Sequence, residues 1–533
     1  MMSKTATTAQ GDSRYPALIA AAVVALAIIC SCSTKSGTLD GYVCIRLRAN
    51  PTTLDPAFIV DVQGGAIAAK IYNGLIRLDA DMNVVPDIAE SWQISPDLRT
   101  YTFKLRRDIK FHNGKPLTAT DAAYSLTRVL SAETNSPNAW VLRNVDGAED
   151  FLKGKSGTLT GVTVADNYTI EITLRQPFEP FLKLLSMPAA YIVPAPAPGE
   201  TGGLSLIVGT GPFIVDKWEP DREIVLRKND EYFDSPARVK GIYYKIIPED
   251  LTAVTEFMLG NVDVFEVTAS AFSMFTKDKK YRAMLREGPG LNVYYLGFNT
   301  SRPPFDNPLL RRAIAHAIDR RKILETYFQN RGSLAVSPVP NALKKYTLAD
   351  SYPFDREKAK ALIKESHYSP STKLRFYVTA AQESVDIAEI IVSYLKDAGI
   401  EAEIRTLEWS AYKSAINNGD TDMFWLGWIA DYPDAENFMY PLYHSSNFGA
   451  GGNRTRYTNA EVDKLIETGR KTANDTEREQ LYKTAEEQIL RDAPAVYFWQ
   501  NRGFTAVAPR IKNFRVYPIY NIDKGNLMEI QAP

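Results

Sequence analysis

The chain has 533 residues, 45% of them hydrophobic, with 62 Lys and Arg against 63 Asp and Glu. That near-neutral balance, without any basic block, excludes the concentrated cationic footprint of a nucleic-acid binder. A mature chain of about 500 residues is ample for two or three domains, and three cysteines are too few for a disulfide framework.

The amino terminus reads as an export signal. Lys4 and Arg14 supply a weakly basic start, and Ala17 to Ile29 form an unbroken apolar run of 13 residues. That run is too short to span a bilayer comfortably and suits a signal-peptide core. Ile29-Cys30-Ser31-Cys32 follows and resembles a bacterial lipoprotein box, with an aliphatic residue three before Cys32 and a small one just before it. Residues 1–31 are therefore expected to be a signal peptide, Cys32 the lipidated residue, and 32–40 a small polar tether. An ordinary cleaved signal peptide, or an uncleaved anchor, is the alternative. With Cys30 removed and Cys32 lipidated, Cys44 stands alone and no intrachain disulfide can form.

Beyond the tether, Tyr101, Phe103 and Leu105 alternate with polar residues at the period of a half-buried strand. Asn113-Gly114 signals a turn, and Thr118 to Asp121 leads into a helix reaching about Leu130. Ile170, Ile172 and Leu174 alternate again, and the Pro- and Gly-dense stretch from Met187 to Gly203 reads as loop or crossover. The later half changes style. Leu374 to Val378 reads as a strand, and Ile387 to Ala398 has helical spacing with Gly399 as its cap. Ile400 to Thr406 is a second strand, a short helix ends near Asn417, and Met423 to Ile429 is a third strand, apolar and rich in tryptophan. Strand, helix, strand, helix, strand is a parallel α/β arrangement, in which ligands bind beyond the carboxyl ends of strands.

Asp431 stands just past such an end, in Gly427-Trp428-Ile429-Ala430-Asp431, with Tyr432, Pro433 and Asp434 behind it. An isolated carboxylate costs several kcal/mol to bury unless a cation or hydrogen-bond donors meet it. Asp431 therefore either has an internal partner, caps the next turn, or awaits a cation carried by a ligand.

Several motifs, in order, carry a family resemblance. They are Asn50-Pro51-Thr52-Thr53-Leu54-Asp55-Pro56, Ile71-Tyr72-Asn73-Gly74-Leu75, Pro86-Asp87-Ile88-Ala89-Glu90-Ser91-Trp92, Lys110-Phe111-His112-Asn113-Gly114, Gly209-Thr210-Gly211-Pro212-Phe213 and Phe298-Asn299-Thr300. Together with the Asp431 element they resemble family 5 of the solute-binding proteins, the peptide-binding lipoproteins that serve ABC importers. The resemblance covers nearly the whole mature chain. It implies an α/β, periplasmic-binding-protein type II fold (cluster C), with two lobes joined by a hinge and an extra subdomain. By motif, lobe I is 41–73, 177–291 and 501–533, the subdomain is 74–176, and lobe II is 292–500.

The resemblance also implies a site. An extended peptide would pair by backbone with Val60, Asp61 and Val62 on one side and with Gly427, Trp428 and Ile429 on the other, while Asp431 takes its amine. Trp409 and Tyr412 are expected as aromatic walls, with plain core packing as the equal alternative. Trp425 occupies the position where some relatives carry an Arg for the peptide carboxylate, and is expected to line an apolar pocket instead. The implied partners are a peptide, a permease with its ATPase, and the membrane through the lipid. No cofactor, metal or nucleic acid is expected, the chain is expected to be monomeric, and it is expected to lie on the periplasmic or cell-surface side of a bacterial membrane. The family also includes binders of sugars, nickel and haem, and a peptide receptor or chaperone uncoupled from import would look the same.

An enzyme is the remaining rival. Ser410-Ala411-Tyr412-Lys413 matches the Ser-x-x-Lys pattern of penicillin-interactive acyl enzymes, but no Lys-Thr-Gly follows it late in the chain. His112, His316, His367 and His444 have no zinc-type spacing. Removing one partner of a desolvated charge pair costs about 2–5 kcal/mol, so Asp431→Ala is expected to weaken peptide binding about tens-fold or more by titration calorimetry. Asp434→Ala is expected to do little.

Overall fold

The computed structural model describes residues 40–196, 207–369 and 371–531. The expected leader and the expected lipidation site, Cys32, lie outside the described residues. Among the described residues no helix is long and apolar enough to cross a membrane.

A mixed sheet of twelve strands runs through the molecule, and its spine is the 13-residue strand Ala495–Val507. The first part of that strand pairs antiparallel with Asn292–Phe298, and the last part pairs with Leu285–Pro289 and Val264–Glu266. Outward from Asn292–Phe298 lie Met423–Ile429, Leu374–Thr379 and Ala402–Leu407. Outward from Val264–Glu266 lie Tyr42–Leu47, Gly241–Ile246, Glu223–Lys228 and Phe213–Glu219. The sheet thus has two halves that share one strand. A second segment, residues 289–292, crosses beside it. There the Asn501 N–H donates to Asn292 Oδ1 (2.7 Å), and Asn292 Nδ2 donates back to the Asn501 carbonyl (3.3 Å). Gly290 allows this approach, because a Cβ there would stand 2.2 Å from the Asn501 oxygen.

The parallel units of the later half form as their periodicity predicts. Helix Gln382–Asp397 buries Ile387, Ala388, Ile391 and Leu395 and ends before Gly399, whose φ is +91°. The next strand starts at Ala402 and not at Ile400, since the Ile400 N–H is used to close the helix on the Leu395 carbonyl (2.9 Å). Helix Trp409–Asn418 ends on Gly419 in the left-handed region. Strand Leu374–Thr379 pairs in parallel along Ala402–Leu407, but it meets Met423–Ile429 only at Phe376 and Tyr377. That early parting leaves part of the Met423–Ile429 edge open.

A separate four-stranded antiparallel sheet, Ala89–Ile94, Thr100–Leu105, Thr169–Thr173 and Val162–Asp166, forms a satellite. Its helix Ala119–Leu130 starts with a capping box between Thr118 and Asp121. Phe103, Leu126, Ile170 and Ile172 fill its core, and Tyr432, from the far half of the main sheet, is buried in that same core. The expected loop after Met187 holds one 3-10 turn, Pro188–Ala190, and continues without regular structure through residue 196. Cys44 is a buried free thiol whose pKa is pushed up to about 12 by burial and by neighbouring Asp263.

Candidate functional site

The site is built on the hydrogen-bond parity of Met423–Ile429. In an antiparallel pair, alternate residues face the partner strand and the others point their main-chain groups away. The Ala430 N–H donates to the Leu291 carbonyl (2.8 Å), so Trp428 and Leu426 are the residues bonded to Val293 and Tyr295. Trp425, Gly427 and Ile429 therefore turn their N–H and C=O groups outward, toward the side that Leu374–Thr379 has left. The Trp425 carbonyl is taken by the Tyr412 hydroxyl. Gly427 and Ile429 keep an open edge, and Ile429 is itself exposed.

Asp431 follows this edge. Its N–H donates to Asn437 Oδ1 (2.9 Å), and Asn437 Nδ2 reaches its carboxylate at 3.5 Å. The Trp428 indole N–H donates to the Asn437 carbonyl (2.8 Å), so one buried residue of helix Glu436–Tyr443 orients both the acid and the ring. Asp431 forms no ion pair among the described residues. Asp431 is exposed to solvent on its cavity side, against the burial its apolar strand led one to expect, yet protein crowds it on the other sides. Burial accordingly raises its pKa, and the Asn437 bond lowers it only in part. Tyr520 stands close to both Asp431 and Asp61, and burial together with those two charges pushes its phenol up to about 12. Its ring lies on Gly65, where a Cβ would come within 2.2 Å.

Two cavities flank the strand. One, of about 550 Å³, is lined by Thr379, Ser384, Trp409, Trp425, Gly427 and Ile429. The other, of about 800 Å³, lies between the satellite and the far half of the sheet and is lined by Trp140, Arg175, Trp428, Asp431, Asn437 and Arg470, among others. Both are within the size range of small-ligand sites.

The remaining expected site residues fall on both sides of the line between site and core. Trp409 is 56% exposed and opens on the smaller cavity, as does Trp425 along one edge. Tyr412 is 0% exposed and stacks under Trp409 (6.2 Å), so it is a core residue that satisfies a strand carbonyl. Val60 is 64% exposed, and its neighbours Ile59 and Asp61 are extended. Val62 departs from the expected extended segment. Asp61 caps helix Val62–Ile71 by accepting the Gly64 N–H (2.7 Å), and its carboxylate also accepts the Thr52 hydroxyl, so Val62 is already helical. Among the described residues no three His, Cys, Asp or Glu side chains converge as a metal site.

The chain as a whole has relatives. The family model for bacterial extracellular solute-binding proteins, family 5, matches residues 83–450. The chain belongs to this family. It is 30% identical over 505 residues to heme-binding protein A of Haemophilus influenzae, covering 90% of each chain. It is 27% identical over 477 residues to the dipeptide-binding protein of Escherichia coli K12, covering 85% of this chain and 88% of that one. The structure matches a periplasmic murein tripeptide binding protein in its unliganded open form with a TM-score of 0.81 and 25% identity, over 93% of this chain and 99% of that one. The fold of this family 5 protein is thus the type II binding-protein fold that the sequence motifs imply.

Asp434 requires a correction. It is 2% exposed and accepts from Lys183 Nζ (2.6 Å) and from both terminal nitrogens of Arg478 (2.5 and 3.0 Å). Arg478 also meets Glu179 (3.0 Å), and the Glu179 N–H donates to the Arg470 carbonyl (2.9 Å). Burial opposes the Asp434 charge, but Arg478 and Lys183 more than offset it and hold the carboxyl well below the usual range. Asp434→Ala leaves the buried Arg478 with Glu179 alone and takes the carboxylate from the part-buried Lys183, and should cost about 3–5 kcal/mol of stability, read as a lowered midpoint in urea. Because its folded pKa lies below the unfolded value of about 3.9, this stabilisation is complete above about pH 5 and is lost as pH falls through the folded value. Acid titration of wild type against Asp434→Asn checks the sign: the variant should show the shallower loss.

Proposed function

We propose that this chain is the substrate-binding component of a peptide ABC importer, lipid-anchored through Cys32 outside the cytoplasmic membrane and acting as a monomer on a permease and its ATPase. The observation that carries this reading is Asp431, a carboxylate with no ion-pair partner among the described residues, at the end of an edge whose outward groups on Gly427 and Ile429 have no strand partner among them. Main-chain pairing there gives affinity for any sequence, and the free amine of the peptide supplies the missing cation. Residues 59–61 would hold the other side of the peptide, and Trp409 and Trp425 would line a side-chain pocket. The lobes would be 41–73, 177–291 and 501–533 against 292–500, with 74–176 as the subdomain, and closure would turn about the two crossing segments joined by Asn292 and Asn501.

The names of two relatives, dipeptide binder and murein tripeptide binder, support a peptide ligand. A third, heme-binding protein A, supports a second reading in which the same cleft takes a tetrapyrrole. Native mass spectrometry of the protein as purified separates them, through release of a ladder of short peptides or of one coloured ligand. The amine assignment has its own test. N-acetylation of a tripeptide should weaken binding about tens-fold or more, and Asp431→Asn should remove that difference.

The pH dependence follows in sign. An ammonium beside Asp431 lowers its raised pKa, so binding releases a proton wherever the free carboxyl is partly protonated. Affinity should therefore fall as pH drops through that raised value, beginning above the ordinary Asp range of about 3.9. Calorimetry across this range should give a slope in wild type and a flat line in Asp431→Asn.

A further inference from the structure

Two charged side chains that line the larger cavity, Asp431 and Arg175, form no ion pair among the described residues. Of its lining cations, Arg470 pairs with Glu436 (2.8 Å) and lies over the Tyr440 ring (3.6 Å), and Arg143 pairs with Glu149 (3.0 Å). Arg175 forms no ion pair among the described residues. It comes from the satellite, is exposed to solvent, and lines the same cavity as Asp431 at the end of Met423–Ile429. The main chain at Arg175 is held in place. The Leu174 N–H donates to Arg99 O (2.8 Å), the Arg175 N–H to Asn144 O (2.8 Å), and Asn144 Nδ2 to Gln176 O (3.0 Å). Trp140 and Trp428 make the apolar part of the walls, and Trp140 touches the other wall through Tyr432 (6.5 Å between rings).

We infer that this cavity receives the side chain of the peptide's first residue and selects an acidic one through Arg175, with Arg143 beside it. The inference rests on the amine of that residue being held by Asp431. From there the same residue's side chain has the cavity before it. A Glu or Asp side chain places a carboxylate toward the unmatched guanidinium, so both charges of the residue meet their opposites. A Lys or Arg side chain places a second cation in a space that already holds Arg143, Arg175 and Arg470. Main-chain pairing along Gly427 and Ile429 does not distinguish these cases, so the selection falls to the cavity.

The test is calorimetry on the full-length protein in detergent with Glu-Ala-Ala, Gln-Ala-Ala and Lys-Ala-Ala, repeated on Arg175→Gln and Arg175→Lys. The wild type should prefer Glu-Ala-Ala over Gln-Ala-Ala by about tenfold or more, with Lys-Ala-Ala weakest. Arg175→Gln should bring the Glu-to-Gln ratio near one, and Arg175→Lys should restore part of it. A ratio near one in the wild type, or a ratio that survives Arg175→Gln, overturns the inference while leaving the peptide reading intact. Failure of all three tripeptides to bind the wild type overturns the peptide reading, and this inference with it.

Discussion

Two carboxylates three residues apart are treated in opposite ways, and the site depends on that contrast. Asp434 is buried among Lys183, Arg478 and the Glu436 N–H, with its charge fully met. Asp431 has one amide, from Asn437, and a crowded, part-desolvated position. The first arrangement makes the second possible. The Asp434 network ties residues 179–183 to helix Asp475–Asp492, and so holds the turn after Met423–Ile429 against the satellite side of the molecule.

The half-paired strand is the second requirement. Leu374–Thr379 runs beside Met423–Ile429 for only two residue pairs before the strands part. Open strand edges are a liability in most proteins because they recruit other strands. Here the edge is short, flanked by Trp409 and Trp425, and one of its carbonyls is already held by Tyr412. Two residues, Gly427 and Ile429, are left to pair. That suits an extended ligand of a few residues better than an open-ended strand.

Much of this was legible in the sequence where the signal is local. The strand Met423–Ile429 is an apolar run closed by polar turn residues, and the helix and strand before it follow their own periods. The unmatched state of Asp431 followed from a cost argument joined to a family resemblance. Asp434 was not legible, because its partners lie 251 and 44 residues away in the chain and no spacing encodes them. Tyr520 and Asn437 escaped for related reasons: one comes from the C-terminal segment, and the other is an ordinary Asn in a first helical turn. Tyr412 and Trp409 are three positions apart on one helix, and their separation into core and wall depends on where the Trp425 carbonyl lies. Val62 is a different case. Asp61 is a good helix cap in its own right, so the local signal points to the helix that is found, whereas the extended segment was implied by the family resemblance alone.

The energetics also explain why a broad binder can still discriminate at one position. In the proposed complex, main-chain bonds to Gly427 and Ile429 would be the same for every sequence and would replace bonds the peptide makes to water, so each would contribute little net. A charge meeting its opposite in a part-desolvated site contributes more, and it also removes the penalty the free site carries. In the proposed complex Asp431 concentrates that contribution on the amine, which every unmodified linear peptide has. Discrimination among peptides must then come from charges that not all of them carry. Among the described residues, the other arginines lining the cavity with Asp431 are paired with carboxylates and Arg175 is not, so in the proposed complex its guanidinium has most to gain from the ligand.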